Sequence, residues 1–218
     1  MRTLVLLNGN LHTSAWQRIP QLCGPWDMVI CADGGGRHAI ALGLAVDLLI
    51  GDGDSLSAAM KRQLHPNCIK QYPTDKDYTD GQLAVTEALH QGASHVVLAG
   101  ALGDRIDHTL ANIALLRHIA IAGASGVATD GKQSIYLLTD ELNLPGQPGQ
   151  LVSLIPNPPC AKGVSASGMR WPLEKSNLAW GDTRSISNEF IETTAHFSVE
   201  QGEVLVIINH IDSTLIPC

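Results

Sequence analysis

The sequence predicts an α/β fold: an N-terminal parallel-sheet domain over residues 1–130, followed by a C-terminal all-β sandwich over residues 131–218. Three features predict it. Short apolar runs alternate with longer helix-like stretches through the first part of the chain. Near Gly126 that alternation stops, and Gly, Pro, Ser and Asn punctuate short runs instead. Aspartates recur just after the expected strands, where an open parallel sheet gathers its loops.

In the first part, strands are expected at residues 4–7, 28–31, 46–50, 68–72 and 95–99. Helices are expected between and after them, at residues 37–44, 57–64, 80–91 and 108–121. Strands that alternate with helices at this spacing are parallel, because each crossover returns the chain to the same end of the sheet. Thr79 and Gln82 form a capping box that starts a helix at Asp80, and Val85, Ala88 and Leu89 supply its apolar stripe. A second helix starts near Asp107, ahead of Leu110, Ile113 and Leu116. In the second part, short strands are expected at residues 135–138, 151–155, 194–199 and 203–208. Leu144-Pro145-Gly146-Gln147-Pro148-Gly149 is a turn-rich connection among them. Closely spaced short strands without a helix pattern point to a sandwich or barrel-like module.

Composition removes several classes of function. Of 218 residues, 44% are hydrophobic and 16% charged, which is the balance of a folded protein. The formal net charge is −7 and Lys and Arg form no run, so no nucleic-acid partner is expected. No apolar run approaches the ~18 residues of a membrane span, and no membrane association is expected. The five cysteines, Cys23, Cys31, Cys68, Cys160 and Cys218, are odd in number, widely spaced and without C-x-x-C. They read as reduced thiols of a cytoplasmic protein. An acidic protein attracts a cationic ligand directly, and needs a metal ion to bridge it to a polyphosphate.

The chemistry is carried by aspartates at the strand ends. Asp33 follows one strand, Asp52 and Asp54 the next, then Asp75, Asp77 and Asp80, and finally Asp104 and Asp107. All parallel strands end at one edge, so four loops bring these carboxylates together where ligands bind. Close carboxylates repel one another unless a cation sits among them, and their hard oxygens suit Mg²⁺, which also binds substrate phosphate. Gly34, Gly35 and Gly36 join a strand to a helix, where backbone N–H groups can approach an anion. They form neither a Walker A loop nor a G-x-G-x-x-G fingerprint. Lys76 and Arg105 stand in acidic loops as cations for phosphate, and His108 follows Asp107 as a capping, orienting or catalytic group. Asp and Gly also recur in ordinary loops and caps, and Asp104 has Arg105 beside it as a partner. Trp171 and Trp180 read as core or interface aromatics, and Ser187 and Asn188 as a turn or strand edge.

Several segments resemble the thiamine pyrophosphokinase family in order and spacing. They are Ala32-Asp33-Gly34-Gly35, the stretch from Asp47 to Ser55, Lys76-Asp77-Tyr78-Thr79-Asp80 and Gly103-Asp104-Arg105-Ile106-Asp107-His108. Val152-Ser153-Leu154-Ile155-Pro156, Gly168-Met169-Arg170-Trp171-Pro172-Leu173 and Ser187-Asn188-Glu189 continue the likeness, which spans nearly the whole chain. The resemblance implies a Rossmann-like ATP-binding catalytic domain followed by a thiamine-binding, dimerising β-sandwich. It implies a homodimer that moves the diphosphate of ATP onto the thiamine hydroxyl and releases AMP. By motif match, Asp52, Asp54 and Asp80 are the catalytic carboxylates and hold Mg²⁺. Asp33, Gly34, Gly35, Arg105, Asp107 and His108 shape the ATP side, while Lys76, Asp80, Ser187 and Asn188 serve thiamine. The chain departs from the family pattern at Gly53, where Phe is usual, and at Gly36-Arg37, where Ala-Asn is usual. Two other functions fit the same residues: a Mg²⁺-dependent nucleotide phosphohydrolase, and a non-catalytic nucleotide or thiamine sensor.

Overall fold

The computed structural model describes residues 1–17, 19, 22–51, 69–71 and 77–210, and the chain divides into two units, Met1–Gly131 and Lys132–Cys218. The helix expected at residues 57–64 lies outside the described residues.

The first unit is built on β1 (Arg2–Leu6), β2 (Met28–Ala32), β3 (Leu48–Gly51), β4 (Ile69–Gln71), β5 (His95–Ala99) and β6 (Ser125–Thr129). They pair in parallel in the order β6-β5-β1-β2-β3-β4. Leu4, Val5 and Leu6 in β1 and Val96, Val97, Leu98 and Ala99 in β5 are completely buried. Runs of this kind are what a parallel sheet covered on both faces demands. Strand β6 is an addition to the strands expected from sequence. Its residues, Ser125-Gly126-Val127-Ala128-Thr129, are mostly small, so they carry little periodic signal; the register with β5 makes the strand.

Among the described residues, four α-helices accompany the sheet: α1 (Thr13–Trp16), α2 (Gly36–Leu42), α3 (Asp80–His90) and α4 (Ile106–Ile121). Helix α3 starts as the capping box requires. Thr79 is extended (φ −68°, ψ 154°), and its Oγ1 accepts from the Gln82 N–H at 3.1 Å. The buried face is Gly81, Ala84, Val85 and Ala88, at helical spacing. Removing the cap hydroxyl in Thr79→Ala is expected to lower stability by about 1 kcal/mol, readable as a drop of roughly 2–4 °C in Tm.

The second unit contains β7 (Gln133–Leu138), β8 (Glu141–Pro145), β9 (Leu151–Pro156), β10 (Cys160–Ser167), β11 (Leu173–Ala179), β12 (Asn188–Glu189), β13 (Thr194–Ser198) and β14 (Val204–Asn209). They form two antiparallel sets, β12-β9-β14-β7 and β11-β10-β13-β8. One apolar cluster draws on both, with Val152, Leu154 and Val206 from the first and Val164, Leu178 and Phe197 from the second. Strands β8 and β12 are likewise additions to the expected set, β8 taking in Leu144 and Pro145 of the segment read as a turn-rich connection; so are β10 and β11. Register shifts interrupt their pairing between Ala161 and Ala166, and most of β11 is exposed, with Glu174 and Lys175 on it. Bulges and charges of this kind are how edge strands avoid further pairing, and they erase the alternation that marks a half-buried strand.

Candidate active site

From the central β1 the chain builds β2, β3 and β4 to one side, then returns to build β5 and β6 on the other. The order reverses between β1 and β5, and loops that leave such a point part to form a crevice at the carboxyl ends of the strands. A cleft of about 460 Å³ lies there, lined by Asn8, Gly9 and Asn10 after β1, Asp33 after β2, Arg37 of α2, Asp80 of α3, and Asp104, Arg105 and His108 at the start of α4.

Backbone hydrogen bonds join the two loops at its floor. Leu7 N donates to Ala99 O at 2.8 Å, Gly9 N to Gly100 O at 2.9 Å and Asn10 N to Leu102 O at 2.6 Å. Helix α4 holds the second loop from its other side. Thr109 Oγ1 accepts from Gly103 N at 3.1 Å and donates to Gly103 O at 3.2 Å, and Asn112 Nδ2 donates to Ala101 O at 2.8 Å. Helix α2 holds the first loop. Arg37 Nη2 donates to the carbonyls of Asn8 and Gly9 at 2.8 and 2.9 Å, and His38 Nε2 donates to Gly9 O at 2.9 Å. Burial pushes the His38 pKa down, so the imidazole is neutral and the carbonyl selects the tautomer with the proton on Nε2.

Asp33 and Asp80 reach the cleft from different elements. Asp33 sits in the left-handed region (φ 46°) at the turn out of β2, a conformation uncommon for a residue with a side chain. Gly34 and Gly35 are buried behind it. A Cβ on Gly35 would run into the Leu6 main-chain carbonyl, so packing of this turn against β1 requires that glycine; one on Gly34 would meet the Asn8 side chain, which would have to shift. Asp80 occupies the first turn of α3.

Arg105 turns to Asp107 rather than Asp104, with Nη2 2.5 Å from Oδ2 and Nε 3.2 Å from Oδ1. The Arg105 hydrogen bond holds the Asp107 carboxyl below its ordinary pKa, and both groups are exposed to solvent. Of the remaining expected residues, Asp52, Asp54, Lys76 and also Asp75 lie outside the described residues. Among the described residues no group of three acidic, His or Cys side chains encloses a metal position. Asp33, Asp80 and Asp104 line the cleft without converging on one position; the hard oxygens of such side chains suit Mg²⁺ better than a soft metal.

In the second unit Ser187 adopts φ 59°, its N–H donating to Ser153 Oγ at 3.0 Å. The buried Asn188 side chain is committed to its neighbours. Its Oδ1 accepts from Trp171 N at 3.1 Å and Glu189 N at 2.9 Å, and its Nδ2 donates to Trp171 O at 2.7 Å. Trp171 itself is 53% exposed. One face of its ring carries the Arg170 guanidinium at 4.8 Å, and that guanidinium pairs with Glu189 at 3.1 Å. Trp180 is exposed as well, so neither tryptophan belongs to the core of this unit. Asn188→Ala leaves three backbone groups at Trp171 and Glu189 without these bonds. It is expected to destabilise the protein by about 1–3 kcal/mol, measured by denaturant titration.

Fold and cleft together define the class: an α/β unit with a carboxylate-lined cleft at the carboxyl rim of its sheet, followed by an antiparallel β unit. The family model for "Thiamin pyrophosphokinase, catalytic domain" matches residues 19–125, and that for "Thiamin pyrophosphokinase, vitamin B1 binding domain" matches residues 139–204. The thiamine pyrophosphokinase of Bacillus subtilis (strain 168) is 28% identical over 208 residues, which cover 89% of this chain and 94% of the relative. Among solved structures, the thiamin pyrophosphokinase of Geobacillus thermodenitrificans superposes with a TM-score of 0.82 at 26% identity, covering 99% of this chain and 100% of that one. A thiamin pyrophosphokinase family protein of Enterococcus faecalis gives 0.79 at 27% identity, covering 97% and 100%. The chain belongs to the thiamine pyrophosphokinase family.

Proposed function

We propose that this protein is a Mg²⁺-dependent thiamine pyrophosphokinase that converts ATP and thiamine to thiamine diphosphate and AMP. The observation that carries the reading is the cleft at the sheet's switch point, into which three separate loops bring Asp33, Asp80 and Asp104. Family membership of both units supports it. In this reading the first unit takes ATP through Asp33, Gly34, Gly35, Arg105, Asp107 and His108. The second unit is a β-sandwich that takes thiamine beside Ser187 and Asn188, and Lys76 is assigned to thiamine by motif match. Its apolar cluster, drawn from both sheets, supports the sandwich description. The working form is a cytoplasmic homodimer; the free thiols of Cys23, Cys31 and Cys160 agree with a reducing compartment.

Asp52, Asp54 and Asp80 would hold Mg²⁺, which supplies charge neutralisation at the transferring phosphates. Asp80, at the start of α3, orients the thiamine hydroxyl and takes up its proton. The hydroxyl oxygen forms a bond to the β-phosphorus of ATP. The bond from that phosphorus to the α–β bridging oxygen breaks, and AMP leaves with the oxygen. Positioning these partners in line supplies most of the rate. The negative cleft also favours the thiazolium cation. Incubating the protein with Mg²⁺, ATP and thiamine tests the reading. Thiamine diphosphate and AMP in equal amounts are expected. Thiamine monophosphate with ADP would make the protein an ordinary kinase, and AMP without added thiamine would make it a hydrolase.

A further inference from the structure

We infer that Arg37, which stands at a departure from the family pattern, is a phosphate-binding cation of the cleft: it receives a phosphate of the nucleoside triphosphate. The inference rests on the diphosphotransfer reading for the identity of the ligand, but its geometry stands apart. Arg37 is exposed and lines the cleft that also holds Asp33, Asp80 and Asp104. Three carboxylates make this rim hostile to a polyphosphate unless a cation stands among them.

Of the two cations expected for that task, Lys76 lies outside the described residues and Arg105 already donates two hydrogen bonds to Asp107. Arg37 differs. Its Nη2 donates to two uncharged main-chain carbonyls, and among the described residues no carboxylate pairs with it. A guanidinium has five N–H donors in a fixed plane. Two of them, both on Nη2, suffice for Asn8 and Gly9, which leaves those on Nη1 and Nε for an anion.

The two carbonyl bonds also hold the plane of the group in place. The loop that supplies them is itself fastened, by His38 Nε2 to Gly9 O and by Gly9 N and Asn10 N to the loop after β5. A donor oriented before the ligand arrives loses little freedom on binding, which favours affinity. Lysine cannot reproduce this arrangement, since its ammonium is a point charge on a flexible stem.

The test is calorimetric titration of the full chain, with Mg²⁺ present, using α,β-methylene ATP and adenosine as probes. Arg37→Met is expected to weaken the ATP analogue roughly 10–100-fold, the effect of losing one or two charge-assisted hydrogen bonds, and to leave adenosine binding unchanged. Arg37→Lys is expected to recover part of the loss. Equal weakening of both probes would mean that Arg37 only shapes the loop, and would overturn the inference, as would unchanged binding of the analogue. If Arg37→Met does not fold, phenylglyoxal labelling of the wild type decides. Protection of Arg37 by the analogue and not by adenosine supports the inference, and equal labelling overturns it. Arg37-dependent analogue binding without thiamine diphosphate formation would support this inference while removing the proposed reaction.

Discussion

Asp80→Asn is expected to lower turnover about a thousandfold while the protein stays folded. The substitution keeps the size and shape of the side chain and removes its negative charge. Helix α3 retains its Thr79 cap and its buried face of Gly81, Ala84, Val85 and Ala88, and what the helix itself loses is one acidic group in its first turn. Such a group stabilises a helix by about 0.3–1 kcal/mol through the macrodipole. The functional loss is larger because the proposed role joins metal binding to orientation of the attacking hydroxyl. Loss of a single transition-state contact in an enclosed site typically costs about 100- to 1,000-fold, and two roles on one residue place the effect at the upper end. The initial rate of AMP release with Mg²⁺, ATP and thiamine, measured beside a thermal melt, separates the two losses. A variant with wild-type turnover removes Asp80 from the mechanism.

Gly35→Ala is expected to cause the largest loss of stability among the substitutions considered. The added methyl meets the main-chain carbonyl of Leu6 in the central strand, which cannot swing aside as a side chain tip can. Either β1 or the turn carrying Asp33 must move. Overpacking against backbone costs about 3 kcal/mol at the upper end of its usual range, which for a chain of this size lowers Tm by roughly 6–12 °C. Gly43→Ala is the matched control. Gly43 caps α2 at φ 65° with nothing within 4 Å of the added methyl, so only the left-handed backbone is penalised, by about 1 kcal/mol. Equal melting temperatures for the two variants would contradict the packing account of Gly35. Because the Asp33 turn moves with Gly35, ATP turnover in Gly35→Ala is expected to fall even below its melting range.

The parallel sheet is legible in the sequence because β1, β2 and β5 are buried on both faces and therefore read as unbroken apolar runs. The capping box at Thr79 is legible because it is local, and so is the recurrence of aspartates after strands. Strand order is not. It depends on which runs pair across distant parts of the chain, and it alone locates the switch point beside β1. The residues that build the cleft are equally hidden. Asn8, Gly9, Thr109 and Asn112 hold its loops through backbone carbonyls and amides, and such bonds leave no motif in a sequence. Arg37 stands out only as a departure, with no sign of its two carbonyl partners. The same holds for Asn188, which reads as a turn or strand edge, with no sign that its amide holds the Trp171 peptide.

Gly34 and Gly35 show the limit from the other side. A glycine run between a strand and a helix suggests an anion cradle, and the fold adds a demand that the sequence does not show, at Gly35, where a Cβ would meet the Leu6 carbonyl. Arg105 gives a similar lesson. Next to Asp104 in sequence, it reaches Asp107 instead, because the chain is extended at Arg105 (φ −85°, ψ 103°) and becomes helical immediately after it.

The central claim is one of place: nucleotide phosphates, metal and acceptor hydroxyl meet at the carboxyl rim of the first unit's sheet. A crystal structure of the protein with Mg²⁺, α,β-methylene ATP and thiamine tests it directly. The account predicts phosphates in the cleft between Asp33 and Asp80, with a Mg²⁺ bound by an Asp80 oxygen at about 2.1 Å. A nucleotide seated outside that cleft, or a metal with no contact to Asp80 even through water, would contradict it.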